Sequence, residues 1–187
     1  NRAIADYQKA LELMEGQADS FEPNGIVNAL ELPTSSYRQN LHYYLGQTSF
    51  AVADYQQMFD ELEKSRQTLI ELPFDDHQVA VVFWQYIALQ KLKQPQRAEA
   101  LLAGLTQPVR LLENQAYYDA LQVLTNANYT LAGHENSKLA VFAMAMKLQF
   151  MGDRGGAKAI LQQLADPATG GFWPAEVELK RITAANQ

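Results

Sequence analysis

The chain has 187 residues, 48% of them apolar, a formal net charge of −6 and no cysteine. Such a length and apolar share can fill a continuous core, and the missing thiols exclude a disulfide framework and thiolate chemistry. The acidic balance, with a pI near 5.0, argues against nucleic acid, which needs clustered Lys and Arg. No uninterrupted apolar run approaches the roughly 18 residues of a membrane span, and no basic amphipathic stretch suits a membrane surface.

Long helical periodicity with little β-alternation predicts an all-α chain. Ala3-Ile4-Ala5-Asp6-Tyr7-Gln8-Lys9-Ala10-Leu11 sets small residues around one aromatic, the pattern of a helix packed closely on another. Residues 1–15 therefore read as a partial repeat. Residues 16–36 read as an inserted loop, with a turn at Pro23-Asn24-Gly25 and a helix start at Pro33-Thr34-Ser35-Ser36. Residues 37–72 form a helix pair, with Leu45-Gly46 in the first helix and Asp54-Tyr55 opening the second. Residues 76–106 form the next pair. Within it, 79–87 is apolar and β-branched enough to pass for a strand, but Gln85, Gln90 and Lys91 along one side favour a helix. Residues 110–126 add a helix with Leu111, Leu112, Tyr117, Tyr118, Leu121 and Leu124. Residues 136–166 form a further pair through Phe142, Met146, Gly152-Asp153, Ala157 and Leu161. Residues 172–185 form a C-terminal capping helix entered through Gly170-Gly171 and Phe172-Trp173-Pro174.

The small position of each second helix falls at Ala3, Met58, Ala98 and Ala157, in steps of 55, 40 and 59 residues. The constellation resembles the tetratricopeptide (TPR) repeat, whose period is about 34 residues; the loop 16–36 and the extra helix account for the longer first and last steps. Glu22-Pro23-Asn24-Gly25-Ile26, Asn28-Ala29, Leu32-Pro33 and Tyr43-Tyr44-Leu45-Gly46 resemble a recurring bacterial TPR-protein group. In that group an acidic-Pro-Asn/Asp-Gly segment joins one repeat to a Tyr-His-Leu-Gly-type helix. Glu113-Asn114-Gln115-Ala116-Tyr117 is similar to it as well.

The resemblance implies a TPR-like α–α superhelix, a right-handed solenoid of degenerate repeats, working as a scaffold that holds another polypeptide. It further implies a concave face lined by Asn40, Tyr43, Gln47, Phe50, Phe83, Gln90, Phe142 and Gln149. Aromatic and amide groups suit an extended segment or an amphipathic helix, the rings giving area and the amides bonding backbone. They do not make the Lys and Asn clamp that holds a C-terminal carboxylate. The expected function is thus non-enzymatic binding of a protein or peptide, without cofactor, and with self-association open to an uncapped array. The loop 16–36 is a rival occupant of the groove. The chain begins inside a repeat, so a preceding segment is expected, and a bacterial cytoplasm or periplasm fits equally. Two alternatives stand beside the scaffold. One is an accessory region of a longer chain whose activity lies in a missing N-terminal part. The other is a helical-scaffold hydrolase, whose sign would be a bound metal or a buried charged cluster around His42.

Catalytic templates are thin. His42, His77 and His134 have no metal-ligand spacing. His42 reads as a packing residue, His77 follows Asp75 and Asp76 capping a helix start, and His134 reads as a solvated turn residue. Glu61 with Glu63, and Glu176 with Glu178, read as solvated acids rather than the paired carboxylates of a glycosidase. No Gly-x-Ser-x-Gly elbow or phosphate loop is present. Lys91, Lys93, Arg97 and Arg110 belong to a solvated turn, Met144, Met146 and Met151 to the core, and Phe172-Trp173 to the cap.

Overall fold

The computed structural model describes residues 2–23, 28–68, 71–72, 74–105 and 108–184. Among them are nine α-helices and no strand, so the chain is all-α: α1 Arg2–Leu13, α2 Tyr37–Ala51, α3 Tyr55–Gln67, α4 Asp76–Lys91, α5 Pro95–Ala103, α6 Gln115–Thr125, α7 Lys138–Phe150, α8 Arg154–Leu164 and α9 Trp173–Ala184. The chain divides into two compact units, Asn1–Gln115 and Ala116–Gln187. The expected Asn24-Gly25 turn lies outside the described residues.

Three helix pairs are joined in the same way. Between α2 and α3, α4 and α5, and α7 and α8 stands one residue in the left-handed conformation: Ala53 (φ 62°), Lys93 (φ 59°) and Gly152 (φ 90°). Its N–H donates to the carbonyl of Phe50, Gln90 or Gln149, and the next N–H donates to Ser49, Leu89 or Leu148. This double return bond closes a helix C-terminus by satisfying carbonyls that the helix itself cannot. The next residue in turn, Asp54, Gln94 or Asp153, opens the following helix. The Asp54 and Asp153 carboxylates accept from Gln57 N–H and Gly156 N–H. After Gln94 it is Pro95, with φ pre-set, that starts the helix. Five residues past each left-handed residue stand Met58, Ala98 and Ala157, all fully buried. The steps of 40 and 59 read from the sequence are therefore the spacings of three structurally equivalent joints. Ala3, by contrast, is exposed, and α1 has no buried residue.

In unit 1, α2 packs on α1 and α3, α3 on α4, and α4 on α5. Ser36 opens α2 with a reciprocal capping box, its hydroxyl accepting from Gln39 N–H and its own N–H donating to the Gln39 side chain. Gly46 lets α2 and α3 approach closely. A Cβ there would lie 2.7 Å from Leu62 Cγ and 3.3 Å from the Met58 carbonyl oxygen. Helix α4 is buried on nearly every side, from Val79 to Leu89, which is why its sequence imitates a strand. Its Trp84 ring packs 5.4 Å from Phe50 and 5.3 Å from Phe83.

Asp75 and Asp76 do not cap α4 as expected; no side-chain cap bond forms there. Asp76 turns instead to the segment before α6 and accepts from the N–H groups of Leu112, Glu113 and Asn114 at 2.9, 2.7 and 2.6 Å. Asp75 accepts from Arg110 N–H at 2.8 Å. With those amides taken, 110–114 is held as a loop and the helix expected over 110–126 begins only at Gln115.

In unit 2, α8 packs on α7 and α9. Ala140, Ala143 and Ala145 are fully buried on α7, so backbones approach closely there. Phe142 meets Phe172 edge to face at 5.7 Å. Phe172 thus packs as a cap, whereas Trp173 keeps 42% of its surface exposed. Of the methionines expected in the core, Met146 is fully buried but Met151 is 74% exposed, since it closes α7 at the joint.

Candidate functional site

The residues expected to line a groove are spent on the chain's own packing. Phe50, Phe83 and Phe142 have no exposed surface, and Tyr43 is also buried. Tyr43 Oη accepts from Gln47 Nε2 at 2.9 Å and from Trp84 Nε1 at 3.1 Å. Gln90 donates to Tyr86 Oη, and Gln149 to Glu178 Oε1 at 2.9 Å. Asn40 donates to the Glu22 carboxylate and to Ser35 Oγ, so part of the inserted loop bonds α2 at this position. The aromatic members are core residues, because rings at helical spacing serve a helix–helix interface as readily as a groove. That part of the expected lining is withdrawn.

Unit 1 has instead an open cleft of about 620 Å³ between α1, α2 and α3. Gln8 and Glu12 of α1, with Glu15 in the turn just past its end, form one wall, Arg38 and His42 come from α2, and Glu61 and Lys64 come from α3. Arg38 is fixed by donating through Nη2 to the carbonyls of Met14 and Gln17, both at 3.0 Å, past the end of α1. A cation at a helix C-terminus is favourably placed. At the floor, His42 Nδ1 lies 2.8 Å from Glu61 Oε2, and Lys64 Nζ lies 2.7 Å from Glu61 Oε1. Burial pushes the Glu61 carboxyl up, but hydrogen bonds from His42 and Lys64 and the Lys64 charge outweigh it, leaving the pKa below its ordinary value. An ionised carboxylate only accepts. The imidazole therefore carries its proton on Nδ1, and its basic nitrogen is Nε2.

Glu61 is thus not the solvated acid expected from the sequence; only 7% of it is exposed. Glu178 is likewise buried, accepting from Gln149 and from Arg181 Nη1 at 2.9 Å. Glu63 is held by Arg66, Gln67 and Gln85. Burial raises its carboxyl, and the bonds from Arg66 and Gln85 bring it below the ordinary value. His134 is not simply solvated either, since its ring nitrogens lie 3.1 Å from Tyr129 Oη and 3.4 Å from Asp119 Oδ2.

A second cavity of about 240 Å³ opens beside His77, walled also by Gln39, Arg66 and Asp75. His77 Nε2 lies 2.7 Å from Ser65 Oγ, a pairing that superficially matches a nucleophile and its base. The hydrogen-bond direction is opposite. Ser65 donates its own proton to the Gln39 carbonyl at 2.8 Å, so the ring N–H must donate to Oγ. Ser65 is also fully buried. The pair therefore ties three helices together rather than activating an oxygen.

Among the described residues, no three His, Cys, Asp or Glu side chains gather as a metal set, and no helix is long and apolar enough to cross a membrane. The His42–Glu61 pair escaped the sequence reading because the two residues are 19 apart. The available signal was Gly46: once α2 and α3 touch there, His42, one turn earlier, is brought to α3. Comparison with protein-family models, with curated proteins and with solved structures finds no match.

Proposed function

We propose that this chain is a TPR-like α–α repeat protein, a right-handed solenoid of degenerate repeats, that acts as a non-enzymatic scaffold for a protein or peptide segment. The observation that carries this reading is the joint repeated at Ala53, Lys93 and Gly152, with a buried residue five positions on at Met58, Ala98 and Ala157. Repetition of one hairpin is how a chain builds an extended binding surface from small units. The partner surface is the α1–α2–α3 cleft. Its rim carries exposed polar groups, whereas the aromatic residues read from the sequence are in the core.

The test is affinity capture from native extract with the full chain, wild type beside Gln8→Ala/Glu15→Lys. Both residues are exposed, Gln8 on α1 and Glu15 just past its end, so the fold should persist. A protein retained by wild type and lost by the variant supports the scaffold and its cleft. Equal retention by both would remove the cleft from the account.

A second reading, a hydrolase on a helical scaffold, draws on the His42–Glu61–Lys64 cluster. With Glu61 holding Nδ1–H, Nε2 is the nitrogen that would take a proton from water. Among the described residues that line the cleft none is Ser, Thr or Cys, so such a reaction would proceed through water directly. Turnover of a hydrolysable substrate that disappears in His42→Gln while capture of the partner persists would favour this reading over the scaffold.

A further inference from the structure

We propose that His77 is an acid-sensitive latch that joins α2, α3 and α4 while its imidazole is neutral and releases them once it is protonated. The latch is a continuous chain of two bonds. His77 on α4 donates from Nε2 to Ser65 Oγ on α3 at 2.7 Å, and Ser65 donates to the Gln39 carbonyl on α2 at 2.8 Å. One hydroxyl thus links the three helices, and Ser65 is fully buried.

A second proton must enter at Nδ1, because Nε2 already carries one; it leaves the bond to Ser65 in place, so release comes from the charge of a buried imidazolium rather than from loss of the donor. The surroundings oppose it. The ring is buried, with Tyr43 of α2 packed at 5.8 Å. It sits in the first turn of α4, where free backbone N–H groups disfavour a cation. Arg66 of α3 lines the same cavity, with Gln39 from α2 and Leu72, Phe74 and Gln78 as uncharged neighbours. Two carboxylates stand close in sequence, and both are engaged elsewhere: Asp76 by the N–H groups of 112–114, Asp75 by Arg110. Burial accordingly holds the His77 pKa down to about 4.

The direction of the linkage follows. An unfolded or opened chain exposes an imidazole that titrates at its ordinary 6.5. Between that value and about 4, the open form binds a proton that the closed form does not. The closed joint is at full strength above pH 6.5 and is lost progressively as pH falls, with the opening constant rising towards tenfold per pH unit.

The test is amide hydrogen exchange in α3 and α4 of the full chain between about pH 7 and about pH 5, comparing wild type with His77→Gln. Wild type should open about sevenfold more readily at about pH 5 than at about pH 6, and the glutamine variant should lose that rise. The same pH slope in both would overturn the latch. If the variant does not fold, the ¹⁵N shifts of the His77 ring in wild type decide. A neutral ring with its proton on Nε2 at about pH 6 supports the proposal, and an imidazolium at that pH overturns it.

Discussion

The two units solve the same packing problem with different chemistry. Unit 1 has nine Lys and Arg against fifteen Asp and Glu, and so carries the whole net charge of −6; unit 2 has six of each. Buried polar side chains follow the same division. Among the described residues, Ser36, Gln39, Ser49, Glu61, Ser65, Asp76, His77 and Gln85 are all in unit 1, while unit 2 has only Glu178. Unit 2 closes α7 on its neighbours with alanines and one phenylalanine pair. Unit 1 closes with hydrogen-bonded side chains, as the cost of an unpaired buried polar group requires, with Gln85 Oε1 the exception. The His42–Glu61 cleft and the His77 cavity both lie among these directional contacts of unit 1.

The contrast can be broken at its apolar parts first. Phe83→Ala in unit 1 and Phe142→Ala in unit 2 should each cost about 3–5 kcal/mol, as fully buried rings do. Denaturant unfolding followed by hydrogen exchange should show the loss in the unit that holds the ring. A loss spread evenly over both would mean that they are not separate cooperative units.

The polar parts come next. Asp76→Ala strands three N–H groups and should cost about 3 kcal/mol, with helix α4 and the 110–114 loop both losing protection. Glu178→Ala should cost less, about 2 kcal/mol, because Gln149 and Arg181 are only half-buried and can turn to water. Equal losses in thermal unfolding would erase the difference in how the two units use buried acids.

Smaller effects sharpen it. Gly46→Ala should cost about 1–3 kcal/mol, since the new Cβ meets Leu62 at 2.7 Å and the neighbour must shift. Lys64→Ala should change stability by under about 0.5 kcal/mol, because that side chain is 56% exposed and water screens its bond to Glu61. A loss several times larger would make Lys64, rather than His42, the principal partner of Glu61.

The helices were legible where local chemistry is decisive. Pro33-Thr34-Ser35-Ser36 spelled a helix start, and α2 opens at Ser36; Asp54-Tyr55 spelled the opening of the second helix, and Asp54 caps α3. The joints were legible too, as spacings between Met58, Ala98 and Ala157, although the left-handed Ala53 and Lys93 carry no local signal because neither is glycine. What the sequence concealed was direction. Phe50, Phe83 and Phe142 recur at helical spacing whether they face a groove or a neighbouring helix, and only packing chooses. Long-range bonds were concealed for another reason. Asp76 reaches residues 36 to 38 positions away, and His42 meets Glu61 across a hairpin, so linear spacing holds no trace of either. Acids at Glu61 and Glu178 look solvated until their partners are placed beside them.

The central claim is that a partner segment lies in the α1–α2–α3 cleft of unit 1. The most direct measurement is amide hydrogen exchange of the full chain with and without its captured partner. The account predicts that added protection concentrates in α1, the start of α2 and α3, around Gln8, Arg38 and Lys64. Protection confined to α7–α9, with the cleft helices unchanged, would contradict it.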